Sequence, residues 1–209
     1  MTFRRMAGDA ADYYSGKFAE HGPTARGVDW NTEHSQFLRF EQLLRVVDQA
    51  TEPFSIIDYG CGYGAMADFL RSKGYRFNYC GYDLSQSMIE HARSTHDSEN
   101  KFVSDEADLP PADYAVASGV MNVKQLEEEA AWHDYCLHLI GRLAALSTRG
   151  FAFNMLTSYS DPEHKRSDLY YGDPLAYFDY CKRKYARNVA LLHDYGLYEF
   201  TMIVRKAVP

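Results

Sequence analysis

The sequence predicts an α/β fold, a doubly wound and mostly parallel sheet of seven strands with a C-terminal antiparallel strand. A short apolar run over 54–57 ends in Asp58, and three glycines at alternate positions over 60–64 lead into a helical pattern that begins at Ala65. A buried parallel strand turns into a helix in this way. Strand-like and helix-like segments then alternate, which is typical of right-handed βαβ units. Two final strand-like runs are joined by the tight turn 194–197 and must therefore be antiparallel.

The amino-terminal segment, residues 1–30, is polar, weakly periodic and dotted with aromatic residues, which predicts a short helix followed by a loop. Asn31 or Thr32 can cap a second helix that has Glu33 in its first turn and an apolar face to about Asp48. We expect this second helix to pack on the sheet. The segment before it would then form an N-terminal helical cap that folds over the site as a lid.

The middle of the chain continues the alternation. The helix that begins at Ala65 is expected to end at Gly74, which can take the left-handed conformation after the last turn. A strand over 76–83 follows, and Ser85 can cap the next helix. The further elements are a third strand over 101–104, a fourth over 113–118, a long helix over 125–147 and a fifth strand over 150–155.

Residues 156–172 form a loop of about seventeen residues, longer than most connections within a domain, and loops of that length are often functional. Asp173 as N-cap, with Pro174 in the first helical position, opens a helix that extends to Lys184. The last two strands are predicted over 187–193 and 198–205. We interpret 156–186 as an insertion on the substrate side of the domain.

Length and charge restrict the class of protein. With 209 residues and 46% apolar content, the chain is expected to form one domain over 31–209 with the segment 1–30 as its lid. Lys and Arg total 22 against 29 Asp and Glu, so the net charge is −7, and no basic run is present. This balance argues against a nucleic-acid partner and favours a small molecule. We expect a monomer or a homodimer.

Cysteine spacing and hydropathy indicate the compartment. The four cysteines form no Cys-x-x-Cys pair, so neither a zinc site nor a disulfide framework is expected, and free thiols are typical of a reducing cytoplasm. They are Cys61, Cys80, Cys136 and Cys181. No apolar run approaches the ~18 residues of a membrane span. We therefore predict a cytoplasmic protein with no metal and no membrane partner.

Two carboxylates at strand ends indicate the kind of ligand. Asp58 puts negative charge beside the glycine turn, which favours a cationic, phosphate-free ligand. Asp83 ends the second strand, where an acid can bind both hydroxyls of a ribose. The spacing of Gly60, Gly62 and Ala65 alone also fits a dinucleotide fingerprint or a turn without a ligand. An NAD-dependent Rossmann oxidoreductase is therefore one alternative.

From about residue 31 to 206 the chain resembles the class I S-adenosylmethionine-dependent methyltransferases, of the bacterial small-molecule type. Three motifs carry the resemblance: Ile57-Asp58-Tyr59-Gly60-Cys61-Gly62-Tyr63-Gly64, Gly81-Tyr82-Asp83-Leu84-Ser85 and Asp113-Tyr114-Ala115-Val116-Ala117-Ser118. It implies that S-adenosylmethionine is the cofactor and S-adenosylhomocysteine the product. It also leaves open a non-catalytic protein that binds this cofactor only to assemble with a partner.

The resemblance implies roles along the ends of three strands. Successive groups would bind the methionine part, the ribose, the adenine ring, the adenine amino edge and the space beneath the sulfonium. In that order, they are Asp58, Tyr59, Gly60 and Gly62; Asp83; Leu84 and Met88; Asp105 or Glu106 with Ala107; and Ser118 and Gly119.

Methyl transfer is an in-line displacement, so positioning and exclusion of water can supply much of the rate and a base is optional. The catalytic residues cannot be assigned from the sequence. If the acceptor must lose a proton, His21 and His34 are the first candidates because they flank the lid, ahead of His133 and His193.

Aromatic side chains are candidates for the acceptor pocket, although packing in the core is the plainer interpretation. Tyr170 and Tyr171 lie on the long loop, and Tyr13, Tyr14 and Trp30 lie in the amino-terminal segment. Arg39 is interpreted as a surface charge, with binding of the cofactor carboxylate as the alternative.

Overall fold

The computed structural model describes residues 2–48 and 51–207. The first residue of the predicted lid, Met1, and the last two residues of the predicted domain, Val208 and Pro209, lie outside the described residues. Seven strands form one sheet in the order β3-β2-β1-β4-β5-β7-β6. The strands are β1 (Phe54–Tyr59), β2 (Phe77–Tyr82), β3 (Lys101–Val103), β4 (Ala112–Ala117), β5 (Ser147–Leu156), β6 (Asn188–Leu192) and β7 (Glu199–Arg205). Strand β7 is antiparallel to both of its neighbours, and the other pairs are parallel. The predicted fold class is confirmed.

Helices cover both faces of the sheet, which is how parallel strands are buried. The helices are α1 (Thr2–His21), α2 (Glu33–Leu44), α3 (Ala65–Ser72), α4 (Gln86–Thr95), α5 (Glu129–Leu146) and α6 (Pro174–Lys184). One core cluster joins the sheet to α2, α3 and α4, and the other joins it to α1, α5 and α6. Ile56 and Ile57 of β1 are fully buried in opposite clusters. The central strand therefore fixes the position of the glycine turn that follows it.

The amino-terminal helix is longer than predicted. Helix α1 has 20 residues, where the sequence suggested a short helix and a loop. Apolar and aromatic contacts hold this helix on the rest of the protein, because Met6 is fully buried and the ring of Phe3 stacks on His138 at 5.0 Å. Weak periodicity misled the prediction, since small side chains and tyrosines occupy the face turned to the body of the protein.

Helix α2 begins as predicted and ends earlier. The Thr32 hydroxyl accepts a hydrogen bond from the Ser35 N–H at 3.1 Å, and Ser35 Oγ accepts one from the Thr32 N–H at 3.3 Å. This reciprocal capping selects Thr32 over Asn31 as the N-cap. The helix ends at Leu44 rather than near Asp48.

Other boundaries moved by a few residues. Helix α5 begins at Glu129 rather than Gln125, whose φ of 52° is not helical. Ser85 occupies the N-cap position of α4, but its side chain makes no capping bond and accepts instead from Ser15 Oγ at 2.8 Å. Gly74 acts as predicted, since it follows α3 with a left-handed φ of 75°. Asp173 also acts as predicted, since its side chain accepts hydrogen bonds from two backbone N–H groups of α6.

The long loop over 156–172 is more ordered than its length suggests. It contains a 3-10 turn at Pro162–His164, and Thr157 pairs with Gly172 across its base. Within the described residues, no helix has the length and apolar content needed to cross a membrane.

Candidate active site

The carboxyl ends of β1, β2 and β4 open on a cleft of about 920 Å³, counting its open mouth. It lies where the strand order changes direction, next to β1, which is where open α/β sheets bind ligands. Its lining is Ala7, Ala10, Ala11, Tyr14, Val28, Trp30, Gln36, Phe40, Asp58, Tyr59, Gly60, Cys61, Gly62, Tyr82, Asp83, Leu84, Met88, Ser118, Gly119, Val120 and Tyr135.

The glycine turn brings main chain to the cleft. Gly60 has φ 84°, and a Cβ there would lie 2.3 Å from Val120 Cγ2, so both conformation and space require glycine. The N–H groups of Gly60 and Cys61 both donate to the carbonyl of Tyr82, at 2.7 and 2.9 Å. Because these two donors are used within the protein, they are not available to a ligand in the way that the bare N–H groups of a phosphate-binding loop are.

Asp58 is buried, with 3% exposure, at the floor of the cleft. Tyr79 donates its hydroxyl to Asp58 Oδ2 at 2.7 Å, whereas Oδ1 has no partner among the described residues. Burial raises the pKa of Asp58 to about 7, the charge of Asp83 adds to this, and the bond from Tyr79 opposes it. A buried oxygen without a donor is costly, and a cationic donor entering the cleft would satisfy it.

Asp83 is the second carboxylate of the cleft. Its Oδ2 accepts from the Gly62 N–H and its Oδ1 from the Ser85 N–H, both at 2.8 Å. Burial raises the pKa of Asp83, and these backbone bonds oppose the shift. Each carboxylate oxygen retains acceptor capacity, so the group is held in a fixed orientation and can still accept two hydroxyl donors.

The end of β4 forms the next part of the wall. Gly119 has φ 74° and donates its N–H to Asn154 Oδ1 at 2.7 Å. Trp30 packs against it so closely that a Cβ at this glycine would lie 2.4 Å from the indole ring. The Ser118 hydroxyl is buried without a partner among the described residues. This wall is closely packed and carries a polar atom available to a ligand.

Helix α1 covers the cleft. Ala7, Ala10 and Ala11 leave room beneath it, and Tyr14 donates its hydroxyl to the carbonyl of Gly119 at 3.4 Å. Burial raises the pKa of Tyr14, so its hydroxyl remains protonated. The amino-terminal segment therefore contributes directly to the lining.

Arg39 is buried, and its interpretation as a surface charge was wrong. Its Nε lies 2.9 Å from both carboxylate oxygens of Glu199, and its guanidinium stacks 3.8 Å from the centre of the Trp30 ring. Glu199 also accepts from Asn154 Nδ2 at 2.6 Å. The charge of Arg39 is thus balanced within the protein, behind the wall of the cleft.

Some predicted cofactor residues lie outside the lining. A 3-10 turn follows β3 at Glu106–Asp108, and Asp105 is its N-cap, with a side chain that accepts from the Ala107 N–H at 2.9 Å. Glu106 accepts from the Tyr59 hydroxyl at 3.1 Å and from Arg142 Nε at 2.7 Å. Their role at the adenine edge stays a prediction, and Glu106 touches the cleft through Tyr59.

The structure gives several predicted acceptor residues other contacts. Tyr13 donates to Asp29 at 2.7 Å. Tyr170 is buried in a cluster with His133 and Tyr177, and Tyr171 contacts the neighbouring main chain of its own loop. None of these residues lines the cleft.

The histidines proposed as bases also lie elsewhere. His21 is half-buried beside Glu20, and His34 is exposed. Neither lines the cleft. The part of the chain that the structure describes places no histidine, lysine or arginine in that lining.

Sequence reasoning missed several lining residues, among them Gln36, Phe40, Tyr82 and Tyr135. Tyr82 directly precedes Asp83 and could have been inferred from its position. Gln36 lies four residues before Phe40, so its place on the buried face of α2 was visible as a polar residue within an apolar pattern.

The parallel sheet with a reversed β7 and the cleft at the ends of β1, β2 and β4 define a Rossmann-like protein of the methyltransferase type. The chain matches the family model described as a methyltransferase domain over residues 19–160. It is 48% identical over 169 residues to Rv1506c of Mycobacterium tuberculosis, which is named as a methyltransferase, and the match covers 78% of this chain and 99% of that one. The chain belongs to the S-adenosylmethionine-dependent methyltransferase family.

Solved structures share the fold at low identity. Magnesium protoporphyrin IX methyltransferase from Synechocystis PCC 6803, with bound S-adenosylhomocysteine, is similar with a TM-score of 0.63 and 15% identity, over 95% of this chain and 99% of that one. The plantazolicin methyltransferase BpumL, in complex with a pentazolic desmethylPZN analogue and S-adenosylhomocysteine, has a TM-score of 0.58 and 11% identity, over 96% of this chain and 98% of that one.

Proposed function

We propose that this methyltransferase binds S-adenosylmethionine in the cleft and transfers its methyl group to a small-molecule acceptor by in-line displacement. One observation carries the proposal: Asp58 and Asp83 converge on one cleft, and Asp58 Oδ1 is buried without a donor among the described residues. The cofactor has an ammonium group for such an oxygen and ribose hydroxyls for Asp83. The residues present therefore fit this cofactor.

When bound, the cofactor supplies an electrophilic methyl group on a positively charged sulfur. Asp83 accepts the two ribose hydroxyls, and Asp58 accepts the ammonium. Leu84 and Met88 pack on the adenine ring, and Ser118 and Gly119 form the wall next to the reacting centre. The lid, with Tyr14, excludes water from that centre, so the chain contributes mainly through orientation and desolvation.

The lining also restricts the acceptor. Its charged members, Asp58 and Asp83, are both engaged by the cofactor in this proposal, and no basic side chain lines the described cleft to act as a base or to bind an anion. Tyr14, Trp30 and Phe40 offer flat, largely apolar walls. An uncharged organic acceptor fits this surface better than an anionic one.

Binding of S-adenosylhomocysteine tests the proposal. We expect it to bind about tenfold more tightly at pH 8 than at pH 6. With a pKa of about 7, Asp58 is mostly protonated at the lower pH and must lose that proton to accept an ammonium. Calorimetry at both pH values measures the change, and NAD serves as the control. Binding of NAD with no response to S-adenosylhomocysteine would support the oxidoreductase and refute the methyltransferase cofactor.

We also propose that residues 1–30 act as a lid over the bound cofactor. A ligand beneath α1 adds contacts to its inner face and raises the free energy of local opening. S-adenosylhomocysteine should therefore slow tryptic cleavage at Lys17 and at the exposed Arg26, with no effect at the exposed Arg183 of α6. Equal cleavage rates in the amino-terminal segment with and without ligand would refute the lid.

A further inference from the structure

The cofactor in the proposed function carries an anionic group, a carboxylate, for which the described residues place no cation in the cleft. Its methionine part has an ammonium and a carboxylate on the same carbon. The cleft offers Asp58 to the ammonium, but the described lining contains no Lys, Arg or His for the carboxylate. An anion in a largely buried site needs hydrogen-bond donors. Neutral donors must therefore bind it.

Four main-chain donors of the glycine turn are already used. The N–H groups of Gly60 and Cys61 donate to Tyr82, and that of Gly62 donates to Asp83. The N–H of Gly64 donates to the carbonyl of Cys61 at 3.0 Å. These four groups cannot serve the carboxylate without breaking contacts that shape the turn.

The nearest candidate cation on α2 is also engaged. Arg39 donates to Glu199 and, through Nη1, to the carbonyl of Ser35 at 2.7 Å. Trp30 covers one face of its guanidinium. The Arg39 charge is thus held behind the wall, and the sequence-based alternative that Arg39 reaches the cofactor carboxylate is not favoured by these contacts.

Gln36, one helical turn before Arg39, is a neutral side chain whose amide can donate hydrogen bonds to an anion. It lines the cleft and is only 3% exposed. The Tyr63 hydroxyl donates to Gln36 Oε1 at 3.3 Å, and the amide nitrogen has no acceptor among the described residues. Unlike Asp58 Oδ1 and Ser118 Oγ, this nitrogen is not fully enclosed, so its two N–H donors remain accessible to a ligand. Tyr63 belongs to the glycine turn, so its bond ties Gln36 to the loop that follows Asp58.

We propose that Gln36, oriented by Tyr63, binds the carboxylate of the cofactor's methionine part. The inference rests on the proposed function and assigns to that site its anion-binding residue. Together, Asp58 and Gln36 form an acid and amide pair that matches the two charged groups of an α-amino acid.

Two ligands that differ only in the carboxylate test this assignment. The probes are S-adenosylhomocysteine and its decarboxylated analogue, S-adenosyl-3-thiopropylamine, each titrated calorimetrically into the full chain. Gln36→Leu should weaken S-adenosylhomocysteine about 10- to 100-fold, the loss of a hydrogen bond to a charged group, and change the analogue less than about twofold. Gln42→Leu, on the same helix and outside the lining, is the matched control and should alter neither affinity.

A second variant keeps the shape of the side chain and replaces its donor with an acid. Gln36→Glu should reverse the preference, so that the decarboxylated analogue binds more tightly than S-adenosylhomocysteine, because the introduced carboxylate would repel the carboxylate of the ligand. Equal losses for both ligands in Gln36→Leu, or unchanged binding of S-adenosylhomocysteine, would overturn the assignment while leaving the proposed function intact. Failure of the unmodified protein to bind either ligand would overturn both.

Discussion

Replacement of Asp83 by alanine is expected to weaken S-adenosylhomocysteine binding by at least about 100-fold. The carboxylate is positioned by the N–H groups of Gly62 and Ser85, and each oxygen is free to accept one more donor. Two ribose hydroxyls would supply those donors, and each hydrogen bond to a charged group contributes about 1.5–3 kcal/mol. Calorimetry on the purified variant measures the loss directly.

Structural damage must be separated from the lost ligand contacts. Asp83→Ala leaves two backbone N–H groups without their acceptor, so some loss of thermal stability is expected as well. Asp83→Asn keeps the shape and one acceptor oxygen, and it should fold while still losing most of the affinity. Asp97→Ala, an exposed acid after α4, is the control. Unchanged affinity in Asp83→Asn would remove the ribose assignment.

The sheet could be predicted because its signals are local. The run over 54–58, the glycines of the turn and the short link between the last two strands each specify a strand, a turn or a direction from neighbouring residues alone. Parallel strands place their carboxyl ends at one edge, so Asp58 and Asp83 were expected to meet, and they do line one cleft. The position of these two carboxylates followed from fold and motif together.

The remaining walls depend on contacts between residues far apart in the sequence. Trp30 lines the cleft because it packs on Gly119, 89 positions later, and Arg39 is buried because it pairs with Glu199, 160 positions later. No local sequence pattern predicts such pairs. The same limit applies to the tyrosines of the long loop. Tyrosine is a common residue in ligand pockets, but the contacts of Tyr170 with His133 and Tyr177 place it in the core.

The buried pair of Arg39 and Glu199 is expected to dominate the response of this protein to a single substitution outside the cleft. Glu199 is 1% exposed and accepts from both Arg39 and Asn154, which in turn holds the N–H of Gly119. Arg39→Met would leave the carboxylate with one neutral donor in a dry environment. Removing one partner of a buried ion pair costs about 3–5 kcal/mol. For a chain of this size the melting temperature should fall by roughly 6–20 °C.

A double-mutant cycle separates the charge from the packing. Arg39→Met combined with Glu199→Leu should regain much of the stability lost by Arg39→Met, because the uncompensated carboxylate is gone and the volume is nearly kept. Arg183→Met is the matched control: its partner Asp179 is exposed, and the melting temperature should not change measurably. If Arg39→Met melted at the same temperature as Arg183→Met, the ion pair between Arg39 and Glu199 would not stabilise the wall of the cleft. The contacts that run from Arg39 through Glu199 and Asn154 to Gly119 would then contribute no measurable stability to the protein.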